Sequence, residues 1–295
     1  EGIGMADYSL IDFGKLSKPA SVLIEKISDA VGGIYKPYQM VRCAKAEAEA
    51  EKIRAVSQIE ITDLQRRALN RFVSEEAQRQ FNIEEITRQA IPLLSATATP
   101  EKIEKDWIAN FFDKSRLISD QEMQRLWANI LAGEANVPGS FSKRTVNLLG
   151  DLDKSDAELF TSLCGFAWSI GIITLLILDF QNSIYNNNGI NFNSLCHLDS
   201  LGLIKFEIAE YRRLGLPKQF AIFYFERPVT LIMSKGENNE LKIGRVLLTK
   251  AGEELAVVCG ATPVEGFFEY VYDKWAVAGL VPKREVDTDL GGVNS

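Results

Sequence analysis

Hydrophobic residues in the first half of the chain recur at helical spacing. In residues 18–31, KPASVLIEKISDAV, the apolar Val22, Leu23, Ile27, Ala30 and Val31 share one face, Pro19 suits a first turn, and Gly32-Gly33 suits an ending. From Tyr38 to Ile91 no glycine or proline interrupts the sequence. Within that run Ile53, Val56, Ile61, Leu64, Ala68 and Phe72 return every three to five residues among strong helix formers. The pattern predicts a long charged helix with a thin apolar stripe, the kind of face that a second helix of its own type covers. A single straight helix over the whole run would reach about 80 Å. A restart is therefore expected at Asn82-Ile83-Glu84-Glu85, where Asn and Glu have capping-box spacing.

Thr99-Pro100-Glu101 opens a further helix with Ile103, Trp107, Ile108, Phe111 and Phe112 on its inner face, and Ser119-Asp120-Gln121-Glu122 opens another. In the latter, Met123, Leu126, Trp127, Ile130 and Leu131 form a core stripe, and Gly133 is expected to supply a left-handed exit. The stretch that follows, GEANVPGSFSKRT, is turn chemistry at Pro138-Gly139, with Ser142 capping a helix that carries Val146, Leu148 and Leu149. Lys143 and Arg144 then fall in a first turn, where the helix dipole disfavours cations. Glu134 or Asp151 is expected to answer them, making the junction a structural corner; an anion held at the helix N-terminus is the alternative.

The pattern changes after residue 150. Ser155-Asp156-Ala157-Glu158 caps a helix that runs into LFTSLCGFAWSIGIITLLIL, residues 159–178, which carry no charge for twenty positions. That length suits a membrane span, but Gly165, Ser169, Gly171 and Thr174 break it and its flanks are acidic, so ITLLILDF is read as a short buried strand. Leu195, Leu198, Leu201, Leu203 and Ile204 pack a later helix, FAIFYFERPVTLIMS and LKIGRVLLT alternate as strands around a GENNE turn, and Thr249 caps KAGEELAVVCG. Helix, leucine-rich turn, strands and closing helix have the cadence of a winged-helix domain with an enlarged β wing. The expected fold is α+β, mostly α. Residues 1–36 form an N-terminal segment with an amphipathic helix, 37–150 a helical oligomerisation region, 151–280 the winged-helix-like domain, and 281–295 a mobile tail.

Charge narrows the function classes. The 295 residues carry a formal net charge of −7. Residues 1–150 hold 20 Lys/Arg against 21 Asp/Glu and residues 151–295 hold 13 against 19, so the acid lies in the winged-helix-like half. Residues 191–203, the recognition-helix position, contain no Lys or Arg, which removes the main electrostatic term of DNA binding. The basic residues that could contact an anion or a nucleic acid are Lys143, Arg144, Arg212, Arg213 and Lys218. Cys43, Cys164, Cys196 and Cys259 form no CxxC pair, and Cys196 beside His197, the single histidine, lacks further zinc ligands. No metal, cofactor or catalytic residue is expected. Met5 is expected to be the natural first residue, and a reducing cytoplasm the compartment. The oligomer seam is read as Ile53, Val56, Ile61, Leu64 and Phe72.

KPASVLIEKISDAVGGIYKPYQ, WIANFFDKSRLISDQEMQRLWANILAGEANVPGSFSKRT, LGLI and LTKAGEEL together resemble a bacterial family known only as domain of unknown function 2806. LWANILAGE with LLGDLDKSDAELF is similar to the abortive-infection alpha group, which implies a place in defence against phage or mobile elements. Neither resemblance implies catalytic residues. The function expected is that of a non-enzymatic, homo-oligomeric interaction protein with a protein partner, with a DNA-binding regulator or a membrane-associated effector as alternatives.

Overall fold

The computed structural model describes residues 16–32 and 62–282, and the chain divides into two compact units, Glu1–Leu152 and Asp153–Ser295. Ile53, Val56 and Ile61, together with Cys43 and most of the 281–295 tail, lie outside the described residues.

In the first unit α1 (Lys18–Val31) starts where Ser17 accepts from the Ala20 N–H and ends at Gly32, whose φ of 78° is left-handed. Ala20, Leu23, Ile24 and Ile27 are buried, and the Lys26 ammonium donates to the Ile103 carbonyl at 2.9 Å. The apolar face of α1 is thus used inside its own unit. The next helix, α2 (Asp63–Ala90), is capped by Thr62 and Gln65 in a reciprocal capping box. It runs for 28 residues without the expected restart. Asn82 sits inside it, 1% exposed. Its Nδ2 donates to the Arg116 carbonyl and the Ser119 hydroxyl, and its Oδ1 accepts from Gln78 and Gln124. An amide bound this way across three segments is tertiary glue, and the backbone passes through it as helix.

A 3₁₀ turn at Pro100–Lys102 leads into α3 (Lys105–Ser115), which buries Trp107, Ile108, Phe111 and Phe112. Asp120, one residue past the expected Ser119, caps α4 (Gln121–Asn136), and α5 (Lys143–Gly150) closes the unit. Trp127 of α4 is fully buried, edge-on to Phe111 with centroids 5.0 Å apart.

In the second unit α6 (Lys154–Cys164) is capped by Asp153 with Asp156 rather than by Ser155. The uncharged run then leaves the helix at Gly165 and folds into β1 (Ala167–Ile170) and β2 (Ile172–Leu175) about Gly171, whose φ is 77°. Among the described residues no helix is long and apolar enough to cross a membrane. The order continues with the single turn α7 (Ser183–Asn186), α8 (Phe192–Ser200), β3 (Ile204–Leu216), β4 (Gln219–Tyr224), β5 (Arg227–Ile232), β6 (Asn239–Leu248), α9 (Lys250–Ala256) and α10 (Phe267–Val277).

These strands do not form one wing. β3 pairs with β6, while the intervening β4–β5 hairpin joins β1 in a second antiparallel sheet of order β2-β1-β4-β5. Alternation explains the departure: Ile222, Tyr224, Val229 and Leu231 point to one buried face of the hairpin. Tyr224 meets Trp168 at 5.1 Å, and Trp168 packs against Phe268 and Trp275 of α10. A wing left in solvent would waste that face, at about 1.5–3 kcal/mol for each large apolar side chain.

Candidate functional site

The junction after α4 is built from inside. Gly133 is no helix exit, since α4 continues to Asn136 and Val137 terminates it. A Cβ at Gly133 would stand 2.6 Å from the Phe141 ring, so glycine is there to let the returning loop lie against the helix. Glu134, 4% exposed, turns its carboxylate into that loop. It accepts from the Gly139 N–H at 2.7 Å and from the Phe141 N–H at 2.9 Å. Gly139 makes the turn at φ 91°, the Phe141 carbonyl accepts from the Trp107 indole at 2.7 Å, and Ser142 caps α5 through the Thr145 N–H. On the outer side is a shallow hollow of about 500 Å³, bordered by Lys102, Glu104, Pro138 and Lys143.

Lys143 and Arg144 are exposed, and among the described residues neither forms an ion pair. The expected answer from Glu134 fails because that carboxylate is already held by two backbone N–H groups. That carboxylate occupies the loop N–H groups of Gly139 and Phe141, and at the start of α5 the Ser142 hydroxyl takes the Thr145 N–H. The loop thus carries its own anion, and beside it Lys143 and Arg144 begin α5 in solvent.

In the second unit Arg212 and Arg213 are consecutive on β3 and so point to opposite faces. Arg212 pairs with Glu240 at 2.8 Å, Arg213 is half-buried near Gly171, and Lys218 lies past the end of the strand. The three do not make one basic surface. Arg212 instead belongs to a cleft of about 430 Å³ between the β3–β6 pair and α10. Its rim includes a second ion pair, Lys242 with Glu210 at 2.8 Å, which holds the Glu210 carboxyl below the usual carboxylate range. Its floor includes Leu241, Trp275 and Leu280. Burial raises the bordering Tyr270 phenol, and the nearby Asp179 charge adds to the effect. The cleft thus sets paired charges around an apolar floor.

His197 does not pair with Cys196. Its Nε2 meets Asp156 at 2.7 Å, joining α8 to α6. The thiols that do meet are Cys164 and Cys259, 95 positions apart and invisible as a pair in the sequence. Their mutual hydrogen bond pushes Cys164 up and Cys259 down from ordinary thiol values. Among the described residues no group of three or more His, Cys, Asp or Glu side chains is placed to hold a metal.

The described part of the seam lies on α2. None of residues 63–81 is buried, and Leu64 is 68%, Phe72 60% and Val73 51% exposed.

A family model described as "Protein of unknown function (DUF2806)" matches residues 66–272, most of the chain, and the chain belongs to that family. No curated protein and no solved structure gives a significant match.

Proposed function

We propose that this DUF2806 protein is a non-enzymatic interaction protein that associates with itself through α2 and offers its second unit to a protein partner. The observation that carries the reading is the unburied stretch of α2. Five turns of isolated helix are marginal in water, and large apolar side chains exposed on them favour a covering partner. The intrahelical pairs Arg66–Asp63, Arg71–Glu75 and Arg79–Glu75 satisfy the polar sides, and among the described residues nothing buries Leu64 or Phe72.

The second unit supports the other half of the proposal. The helices α6, α7 and α8 followed by the β3–β6 pair have the order of a winged-helix domain, with Ile177 bridging Gly244 beside the wing and β4–β5 inserted into it. Its α8 carries no Lys or Arg, and the Arg212 charge is spent on Glu240, so a protein surface suits this unit better than a phosphate backbone. A role in defence against phage or mobile elements fits such an adaptor and rests on the likeness to the abortive-infection alpha group alone.

Sedimentation across a wide concentration range tests the proposal. The expected result is an oligomer that Leu64→Asp with Phe72→Asp converts to monomer, because a helix seam desolvates the introduced charges. A wild-type chain that stays monomeric at every concentration overturns it.

A further inference from the structure

Two segments distant in the sequence are pinned together where a pair of thiols meets. Cys164 is the last residue of α6, and Cys259 follows the end of α9. The Thr161 hydroxyl, one turn before Cys164, donates to the Cys259 carbonyl at 3.4 Å. On the other side the Tyr224 phenol donates to the Gly165 carbonyl at 2.7 Å and accepts from the Val264 N–H at 2.6 Å. A Cβ at Gly165 would lie 2.9 Å from the Thr262 carbonyl oxygen, so the two segments run in contact. Clamps on both sides of the pair hold the sulfurs as neighbours. Both are free thiols, and they differ in access: Cys164 is 2% exposed, whereas Cys259 is partly open to solvent.

From this arrangement we infer that Cys164 and Cys259 are a modification site, a dithiol that a peroxide oxidises to a disulfide, with Cys259 attacking and Cys164 resolving. The inference is independent of the self-association proposed for α2. Thiol reactivity follows the thiolate. The hydrogen bond from Cys164 holds the Cys259 thiol below its ordinary value against the effect of burial, and the Ala261 N–H adds to it. The same bond, with burial, pushes Cys164 up. The thiol that solvent reaches is therefore also the more easily ionised. In the first step the Cys259 sulfur attacks one oxygen of hydrogen peroxide, the O–O bond breaks, and the leaving hydroxide takes a proton to become water. Cys259 is then a sulfenic acid. The Cys164 sulfur next attacks the Cys259 sulfur, the S–O bond breaks, and the hydroxyl leaves as water with the Cys164 proton. Two thiols lose two electrons, and one peroxide becomes two waters. A thiol reductant reverses the bond by exchange. The disulfide closes a loop of 95 residues that holds all six strands with α7, α8 and α9, so it restricts the unfolded chain of the second unit.

Peroxide treatment of the full chain tests the site. Remaining thiols are capped with iodoacetamide in urea, and the chain is digested without reductant. Mass spectrometry should find the Cys164 and Cys259 peptides joined, and the joining should be several-fold faster than oxidation of the exposed Cys196. Cys164→Ser should halt at a Cys259 sulfenic acid that dimedone captures, and Cys259→Ser should leave Cys164 unoxidised. Circular dichroism reports the fold of each variant, and the wild-type cross-link is read without either. The oxidised wild type should melt about 5–15 °C above the same chain reduced with dithiothreitol, a difference absent in Cys259→Ser. Oxidation of Cys196 with Cys164 and Cys259 unjoined overturns the site. Cys164 oxidised as fast in Cys259→Ser as in wild type overturns the order of attack, and equal melting of the oxidised and reduced chains overturns the loop constraint.

Discussion

Replacing Glu134 by alanine tests whether the loop after α4 is organised by its own buried carboxylate. Two backbone N–H groups donate to that carboxylate, from Gly139 at 2.7 Å and Phe141 at 2.9 Å. The two losses differ. Gly139 is exposed and water can replace its acceptor, whereas Phe141 is 5% exposed and its N–H would be left buried without one. A hydrogen bond to a charged group contributes about 1.5–3 kcal/mol, and an orphaned buried donor costs about 1–3 kcal/mol. With partial rehydration at Gly139, the expected destabilisation is about 2–4 kcal/mol. Glu134→Gln keeps one acceptor oxygen but turns an NH₂ toward the other N–H, so its cost should fall between wild type and alanine. Urea unfolding gives the magnitude, and hydrogen exchange at the Phe141 amide gives the location. Loss of protection should spread to the Trp107 indole, whose acceptor is the Phe141 carbonyl. An alanine variant within about 0.5 kcal/mol of wild type, as surface changes usually are, with Phe141 still protected, would refute the reasoning.

Lys143→Gln with Arg144→Gln should leave stability nearly unchanged and leave no saturable rise in melting temperature with phosphate or short DNA, at fixed ionic strength, to be lost. A saturating rise in the wild type that this variant abolishes would reinstate the anion reading. Trp127→Ala removes a fully buried ring edge-on to Phe111 and should cost about 3–5 kcal/mol in chemical denaturation; wild-type stability would show the stripe is not core. Gly244→Ala puts a Cβ 2.2 Å from the Ile177 carbonyl at a φ of 95°, so the second unit should melt well below wild type, and an unshifted melt would disprove the close approach. Burial pushes the Tyr224 phenol up to about 12, above its unfolded value. Its contribution is whole below the unfolded value of about 10 and is lost as pH rises through 12, so stability should fall over that window and fall less in Tyr224→Phe.

The helices whose signals come from both ends and one face were legible. α3 and α4 carry the stripes the periodicity predicts, α1 forms where expected but buries Ala20 and Ile24 with Leu23 and Ile27 in place of Val22, Ala30 and Val31, Ser142 and Thr249 are the caps they look like, and the α+β class follows from the change in pattern after residue 150. The errors share one cause. Asn82 with Glu85 has the spacing of a capping box, but the groups that engage Asn82 are Arg116 and Ser119, 34 and 37 positions away. Gly133 looks like an exit until Phe141 returns to lie over it. Local signatures state which conformations a segment can adopt, and a distant partner chooses among them. The division of the strands into two sheets was hidden for the same reason, since alternation marks the buried face of the β4–β5 hairpin without saying which sheet covers it.

Site chemistry was harder to read because the fold rearranges which residues are neighbours. Arg212 and Arg213 look like one cluster, and a strand sends them to opposite faces, where Glu240 takes the first. Cys164 and Cys259 look unrelated, and the fold sets them side by side. Glu134 looks like a counter-ion for Lys143, and two backbone N–H groups claim it first. In each case the sequence carries the right residue with the wrong partner. The exposed turns of α2 escape this difficulty. Along a helix with no buried residue from 63 to 81, residues four apart remain neighbours, and nothing else in the described structure competes for them. There the period of the sequence and the pattern of the surface are one object. The exposed side chains of α2 can therefore be placed from the period alone, whereas the cleft beside α10 draws its lining from β3, β6 and α10, which no local period brings together.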